Sequence, residues 1–250
     1  MTHTHPPMIE IRHLSYRYPD NTPGIDDISL TIAAGECVVI AGPNGSGKTT
    51  LFRHLNGLLL PQSGDVRIDG MSVTDDVLRA RRMVGLVFQD ADSQIVGETV
   101  YDDVAFGPEN LCLAPAEIQR RVTSALAVVG MQHLSDRRPH RLSGGEKRRL
   151  TIAGILAMES PVIVLDEPFA NLDHTGALQV LSQIVSLHRS GKTVILATHD
   201  LDRMMGYADR LILMQAGSVL QDGPFVSVIR QAGCAGLQMP CICRMEAVYG

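Results

Sequence analysis

The sequence lacks long apolar runs and lacks an excess of basic charge. Its uncharged apolar stretches, such as 150–158 and 211–221, fall short of the roughly 18 residues that a transmembrane helix requires. Lys and Arg total 22 against 27 Asp and Glu, which gives a formal net charge of −5. Because the apolar runs are short, we expect no membrane-spanning segment. Because no overall basic field is available to hold a phosphate backbone, we expect no nucleic-acid partner.

The sequence also lacks a regular cysteine framework. Its cysteines number five, without the even, regularly spaced set of a secreted disulfide-linked domain, so we expect reduced thiols. Residues 1–8 hold no basic block followed by an apolar one, as a secretory signal would, and we expect a cytoplasmic chain. The histidines at 3 and 5 and the cysteines at 234, 241 and 243 have no recognised zinc spacing. Basic clusters such as 147–149 are expected to be solvated surface.

Short apolar runs that alternate with helical patterns predict an α/β fold. The runs are rich in β-branched residues, and each is followed by a polar or glycine-rich turn, as is typical of parallel strands buried on both faces. Helical patterns begin after these turns, which indicates a mainly parallel, doubly wound sheet. The runs cover residues 37–41, 162–165 and 193–197, and a further strand is expected to end at Gln89.

Three other segments flank or interrupt this predicted core. Alternating residues in 9–12 and 28–32, on either side of a turn-forming cluster at 19–24, predict an N-terminal antiparallel β flank. Residues 90–141 have mostly helical patterns and are interpreted as an inserted helical subdomain. Residues 232–250 show no clear period and are interpreted as a C-terminal tail.

One glycine-rich segment predicts a phosphate-binding loop. Gly42–Thr49 matches the pattern G-x-x-x-x-G-K-[ST] and lies between an apolar run and a helical stretch, as a P-loop requires. Glycines let backbone N–H groups surround an anion at a helix N-terminus. Lys48 adds a point charge, and the Thr49 hydroxyl can bind Mg²⁺ beside the phosphates. The predicted cofactor-binding residues of this P-loop NTPase core are Gly42, Pro43, Asn44, Gly45, Ser46, Gly47, Lys48, Thr49 and Thr50.

Two acidic residues and a histidine follow apolar runs and are therefore expected at the ligand-binding edge of the sheet. Neighbouring residues on a strand point to opposite sides. We therefore expect Asp166 to support Mg²⁺ through water, and Glu167 to face the attacking water as general base. His199 follows the run 193–197 and is expected to polarise the γ-phosphate or to position water.

A second glycine-rich loop, Leu142–Glu146, precedes a helical pattern. Its N–H groups, its hydroxyl and the helix dipole could hold phosphate, yet no apolar run leads into it. Two phosphate-binding loops, of which only one follows a strand, suggest a site shared between two chains. The same residues also have the spacing of a helix N-cap, with Ser143 and Glu146 forming a capping box, and both interpretations can hold together.

Taken in order, these motifs resemble those of the ATP-binding subunits of ABC transporters. The resemblance implies a single ATPase domain over 1–250, ATP with Mg²⁺, and a head-to-tail dimer. In such a dimer Ser143, Gly144 and Gly145 of one chain complete the site built on Lys48 of the other. The matching segments are residues 42–49, Gln89, residues 142–146, Asp166 with Glu167, residues 171–173, and His199.

The resemblance implies three further roles. Gln89 would bind Mg²⁺ and the γ-phosphate and link them to the transporter, and Asp173 would couple the two sites. Tyr18 would stack on adenine. Tyr16, two residues earlier, would point to the same side of a strand, and either ring could instead pack against other protein side chains. A homodimer and a heterodimer with a homologous ATPase subunit both remain open.

Residues 89–94 and 99–111 carry a narrower resemblance, to the ATPase subunits of energy-coupling-factor importers of vitamins or transition-metal ions. One departure is Ala91, where that group often has Pro. This resemblance implies a place at the cytoplasmic face of the cell membrane, with a transmembrane coupling subunit and a solute-binding membrane subunit as partners.

Three alternative functions remain at this point. The chain could serve another type of ABC transporter, or it could be a soluble ABC ATPase of nucleic-acid metabolism. The latter proteins usually have a long coiled coil or two ATPase units, and the sequence shows neither. A small-molecule kinase or GTPase would leave residues 142–146 unexplained, and the guanine-binding N-K-x-D motif is missing.

Overall fold

The computed structural model describes residues 7–229, which form two sheets and the helices packed on them. The strands are β1 (Ile9–Arg17), β2 (Pro23–Ile32), β3 (Cys37–Ala41), β4 (Ser63–Ile68), β5 (Met71–Ser72), β6 (Val84–Val87), β7 (Val162–Asp166), β8 (Thr193–Ala197), β9 (Arg210–Gln215) and β10 (Ser218–Pro224). The helices are α1 (Lys48–Leu55), α2 (Val77–Met83), α3 (Val100–Asn110), α4 (Pro115–Val128), α5 (Gly144–Ala157), α6 (His174–Arg189), α7 (Leu201–Met204) and α8 (Phe225–Ile229).

The two sheets confirm the predicted α/β class and the antiparallel flank. The flank is a four-stranded antiparallel sheet in the order β2-β1-β4-β5. The core sheet has six strands in the order β10-β9-β3-β8-β7-β6, and only β10 runs antiparallel to its neighbour. Because β3, β6, β7 and β8 are parallel neighbours, the loops after them meet at one edge.

The unbroken apolar runs are explained by burial on both faces of the core sheet. In β3, Val39 lies in the cluster that packs against α5 and α6, whereas Val38 and Ile40 lie in the cluster shared with α1 and the antiparallel sheet. Alternate side chains therefore enter different cores, and no position of the strand faces water.

The strand that precedes Gln89 ends earlier than predicted, at Val87. Beyond it, the Phe88 N–H donates to Oε1 of Gln94 at 2.9 Å, and Nε2 of Gln94 donates to the Leu86 carbonyl at 3.1 Å. The side-chain amide thus occupies the place of a neighbouring strand at this edge. The chain turns away at Phe88, so Gln89 lies in a loop.

The stretch 90–141 contains α3, α4 and two short 3₁₀ turns at 132–134 and 139–141. Both helices pack against α5. That this stretch is a subdomain remains a prediction, and the proposed tail at 232–250 lies outside the described residues. Within 7–229, no helix combines the length and the apolar character needed to span a bilayer.

Candidate functional site

A cleft of about 580 Å³ opens at the edge where the parallel strands end. It brings together residues that are far apart in sequence, because most of them follow four neighbouring strands of the core sheet, and Tyr18 follows β1. The predicted site residues that line it are Tyr18, Asn44, Gly45, Ser46, Gly47, Lys48, Thr49, Thr50, Gln89, Asp166, Glu167 and His199. Gly42 and Pro43 are not part of this lining, but their carbonyl oxygens accept hydrogen bonds from Nζ of Lys48.

The loop between β3 and α1 needs glycine for steric reasons. A Cβ on Gly42 would lie 2.1 Å from the carbonyl oxygen of Met214, and a Cβ on Gly47 would lie 2.7 Å from that of Gly24. Gly47 also has a φ of 101° at the N-cap of α1, a conformation that costs glycine little. The loop can therefore fold tightly at the positive end of the helix dipole, where anions bind.

Lys48 is buried at the centre of this loop. Its Nζ donates to the carbonyl oxygens of Gly42 at 2.8 Å and Pro43 at 3.1 Å. Burial lowers the pKa of Lys48, and the nearby carboxylates of Glu167 and Asp166 oppose that effect. The ammonium group is thus placed where a phosphate of a bound nucleotide would meet it.

Oxygen ligands converge beside the lysine. Thr49 donates its hydroxyl to Oδ2 of Asp166 at 2.6 Å, and the Gln89 side chain lines the same cleft. Hydroxyl, carboxylate and amide oxygens fit Mg²⁺, which is typically bound by one or two carboxylates together with substrate phosphates. Within 7–229, no group of three or more His, Cys, Asp or Glu side chains could hold a metal ion by itself.

The two adjacent carboxylates do not point to opposite sides as predicted. Strand β7 ends at Asp166, and Glu167 has a φ of 49° while its N–H still donates to the Ala197 carbonyl. This left-handed residue ends the strand alternation, so both carboxylates line one cleft. The structure thereby brings the candidate general base and the candidate metal ligand to the same cleft.

The surroundings of Glu167 disfavour its ionised form compared with an exposed carboxylate. Burial, together with a smaller effect of Asp166, raises its pKa to about 6, against the attraction of Lys48. Nε2 of His199 lies 3.0 Å from Oε1 of Glu167. Burial and then the charge of Lys48 lower the pKa of His199, which favours the neutral imidazole. A neutral imidazole can donate to a phosphate oxygen and accept from a water molecule.

Tyr18 and Tyr16 occupy different positions. Tyr18 lines the cleft, and its hydroxyl lies 2.9 Å from Oγ1 of Thr50. Tyr16 packs edge-on against the ring of Tyr18 and against His54, with centroid distances of 5.2 and 4.9 Å. Tyr18 is therefore the ring placed to meet a ligand, while adenine stacking remains a prediction for it.

The second glycine-rich loop lies away from the cleft in the same chain. Ser143, Gly144, Gly145 and Asp173 line a separate depression of about 300 Å³. The predicted capping box is present: Oγ of Ser143 accepts from the Glu146 N–H at 3.3 Å, and the Glu146 carboxylate accepts from the Ser143 N–H at 2.7 Å. The helix-capping interpretation is thus correct, and the N-terminus of α5 faces outward.

One basic residue expected on the solvated surface is buried. Arg148 is only 4% exposed, and its guanidinium binds the loop that carries Gln89. Arg148 stands five residues after the helix cap and between two other basic residues, so the sequence alone does not indicate that it is buried. The contact depends on how α5 packs beside the end of β6.

Comparison with known proteins gives consistent matches along the chain. A family model described as ABC transporter matches residues 25–170. The energy-coupling factor transporter ATP-binding protein EcfA of Methanothermobacter thermautotrophicus is 44% identical over 239 residues, covering 93% of this chain and 77% of that protein. The cobalt import ATP-binding protein CbiO of Rhodobacter capsulatus is 43% identical over 242 residues, covering 94% and 86%.

A solved structure has the same fold. It is cbiO1 from Clostridium perfringens, described as part of the ABC transporter complex cbiONQ. The two chains align with a TM-score of 0.81 at 37% sequence identity, covering 96% of this chain and 99% of the other.

The raised pKa of Glu167 predicts a pH-dependent gain in stability for Glu167→Gln. A folded-state pKa of about 6, above the ordinary 4.5, means that ionising this carboxyl destabilises the fold as pH rises through that range. The variant should match the wild type near about pH 4 and exceed it by about 1–2 kcal/mol near about pH 8. Urea denaturation at both pH values measures this. A pH-independent difference would contradict the assignment.

Proposed function

This chain belongs to the ABC transporter family, and on that premise we propose that it is the ATP-hydrolysing subunit of an energy-coupling-factor importer. Members of this family bind and hydrolyse ATP to power transport. The observation that carries the proposal is the cleft itself, in which Lys48, the Thr49–Asp166 pair and Glu167 surround one phosphate-sized region. Similarity to EcfA and CbiO supports the importer class.

In the proposed reaction, the loop after β3 and Lys48 bind the phosphates of ATP. Thr49, Asp166 and Gln89 would hold Mg²⁺, which when bound offsets the charge of the terminal phosphates. Glu167 is mostly ionised at neutral pH, because its pKa is about 6, and it accepts a proton from the attacking water. His199, in contact with Glu167, orients that water or the γ-phosphate.

We further propose that the catalytic site is completed by a second ATPase chain. Ser143 and its glycines face away from the cleft of their own chain, at a helix N-terminus suited to bind phosphate. In a head-to-tail pair, each γ-phosphate would be held by both chains. Hydrolysis removes that bridge, so closing and opening of the pair would follow the nucleotide cycle. The partner is a second copy or a homologous ATPase subunit.

The proposed membrane partners are a transmembrane coupling subunit and a solute-binding subunit, at the cytoplasmic face of the cell membrane. Two large apolar side chains in or between the resembling segments are exposed, Val96 by 61% and Phe106 by 52%, and a membrane subunit could cover them. The proposed solute is a transition-metal ion or a vitamin, and the cobalt importer among the relatives supports the metal.

The first test concerns the proposed general base. Replacing Glu167 with Gln keeps the side-chain size but removes the proton acceptor, so the hydrolysis rate should fall by about 10²- to 10⁴-fold. ATP affinity should stay close to that of the wild type, because Lys48 and the glycine-rich loop are unchanged. Steady-state hydrolysis and equilibrium binding measure the two effects. A variant that still hydrolyses at a near-normal rate would refute the role.

The second test concerns the importer class. Affinity purification of the tagged chain from its native membrane, followed by mass spectrometry, should recover a transmembrane subunit and a small solute-binding membrane protein. Small molecules extracted from that complex and its metal content, compared with a mock purification, should identify a vitamin or a transition-metal ion. Recovery of permease subunits of another transporter type, or of nucleic-acid enzymes, would overturn the proposal.

A further inference from the structure

We propose that Arg148 is a positioning residue for ATP hydrolysis, which sets the place of Gln89 and ties it to the helix capped by Ser143. Nη1 of Arg148 donates to the carbonyl oxygen of Phe88, and Nη2 donates to that of Gln89, both at 2.5 Å. Two consecutive backbone carbonyls are thus fixed by one planar group. The inference rests on the proposed role of Gln89 at the γ-phosphate and Mg²⁺.

The surroundings of Arg148 make this contact costly to replace. The side chain is almost fully buried, and the charges of Asp166, Asp90 and Glu167 favour its protonated form against the effect of burial. A buried guanidinium needs acceptors for its N–H groups, and these two carbonyls supply them. Removing the guanidinium would leave the carbonyls of Phe88 and Gln89 without these donors, so the backbone at Gln89 would be free to shift.

Two other side chains fix the same loop on either side of Gln89. Gln94 binds the backbone of Leu86 and Phe88, as described above. Lys147, the neighbour of Arg148 on α5, pairs with Asp92 at 2.6 Å. The backbone from Phe88 to Gln94 is therefore attached to β6 and to α5, which leaves the exposed side chain of Gln89 as the part free to meet a ligand.

Helix α5 connects this loop with the second glycine-rich loop. Arg148 lies little more than one turn after Ser143, and the capping box fixes Ser143 to the first turn of the helix. A displacement of Gln89 would therefore be transmitted through the guanidinium to the N-terminus of α5. The contact gives a physical link, within one chain, between the residue proposed to bind the metal and the loop proposed to meet the partner's nucleotide.

The test is a double-mutant cycle between Arg148→Met and Gln89→Ala in the full chain, assayed for ATP hydrolysis. Met fills a similar volume without donors. We expect kcat to fall by about 10- to 100-fold, as for a catalytic group displaced by about 1 Å, with KM for ATP changed less than about 3-fold. In the Gln89→Ala background, Arg148→Met should cost less than about 3-fold, because coupled residues are non-additive.

Arg121→Met is the matched control. Arg121 also donates from Nη1 to two consecutive carbonyls, those of Ala157 at 3.5 Å and Met158 at 3.4 Å, but at the other end of α5. It additionally pairs with Glu117 and Glu159. The Arg121→Met substitution should leave kcat near the wild-type value. Three results would overturn the positioning role: an equal fall in kcat in the Arg148→Met and Arg121→Met variants, a rise in KM without a fall in kcat, or full additivity with Gln89→Ala. Wild-type protein without hydrolysis would instead refute the proposed function.

A spectroscopic readout does not depend on turnover. The sequence contains no tryptophan, so Ala91→Trp places a single reporter in the loop beside Gln89. Its emission should shift when ATP and Mg²⁺ are added, and Arg148→Met should abolish that shift; an unchanged shift would contradict the proposal.

If thermal melting shows that Arg148→Met is unfolded, Arg148→Lys replaces it. Lysine reaches one carbonyl at a time, so kcat should be reduced, and a wild-type kcat would again overturn the proposal.

Discussion

The cleft depends on close approach of backbone to backbone at the end of β3. Gly42 passes so near the Met214 carbonyl that no side chain fits, and Gly47 takes a left-handed turn directly before α1. These two constraints let a buried strand lead within a few residues into a helix N-terminus. Lys48 and Thr49 consequently lie in the first turn of α1, next to the carboxylates that end β7.

Burial then sets the charges around that loop. It lowers the pKa of Lys48 and of Arg148 and raises that of Glu167 to about 6. The cations and carboxylates partly offset one another, because each lies near groups of opposite charge. Glu167 is thereby a stronger base than an exposed carboxylate, and it is still mostly ionised at neutral pH. This combination suits proton transfer from a water molecule.

Local signals in the sequence predicted much of this arrangement. The glycine-rich loop, the doubly buried strands and the capping box at Ser143 each depend on neighbouring residues, and the structure has all three. Features that depend on tertiary contacts were missed. Glu167 leaves the strand alternation because its N–H pairs with the end of β8, Gln94 ends β6 early, and Arg148 is buried where α5 meets the loop. No local pattern encodes these contacts.

Contacts between two chains are likewise not encoded in a local pattern, and a single chain contains only one half of each proposed ATP site. Mixing two inactive variants tests directly whether two chains share that site. Chains with Lys48→Ala lack the phosphate lysine, and chains with Ser143→Arg lack a usable second loop. In a head-to-tail mixed pair, one site combines the intact Lys48 with the intact Ser143, so the mixture should regain ATP hydrolysis that neither variant shows alone. A mixture no more active than its separate components would contradict the account.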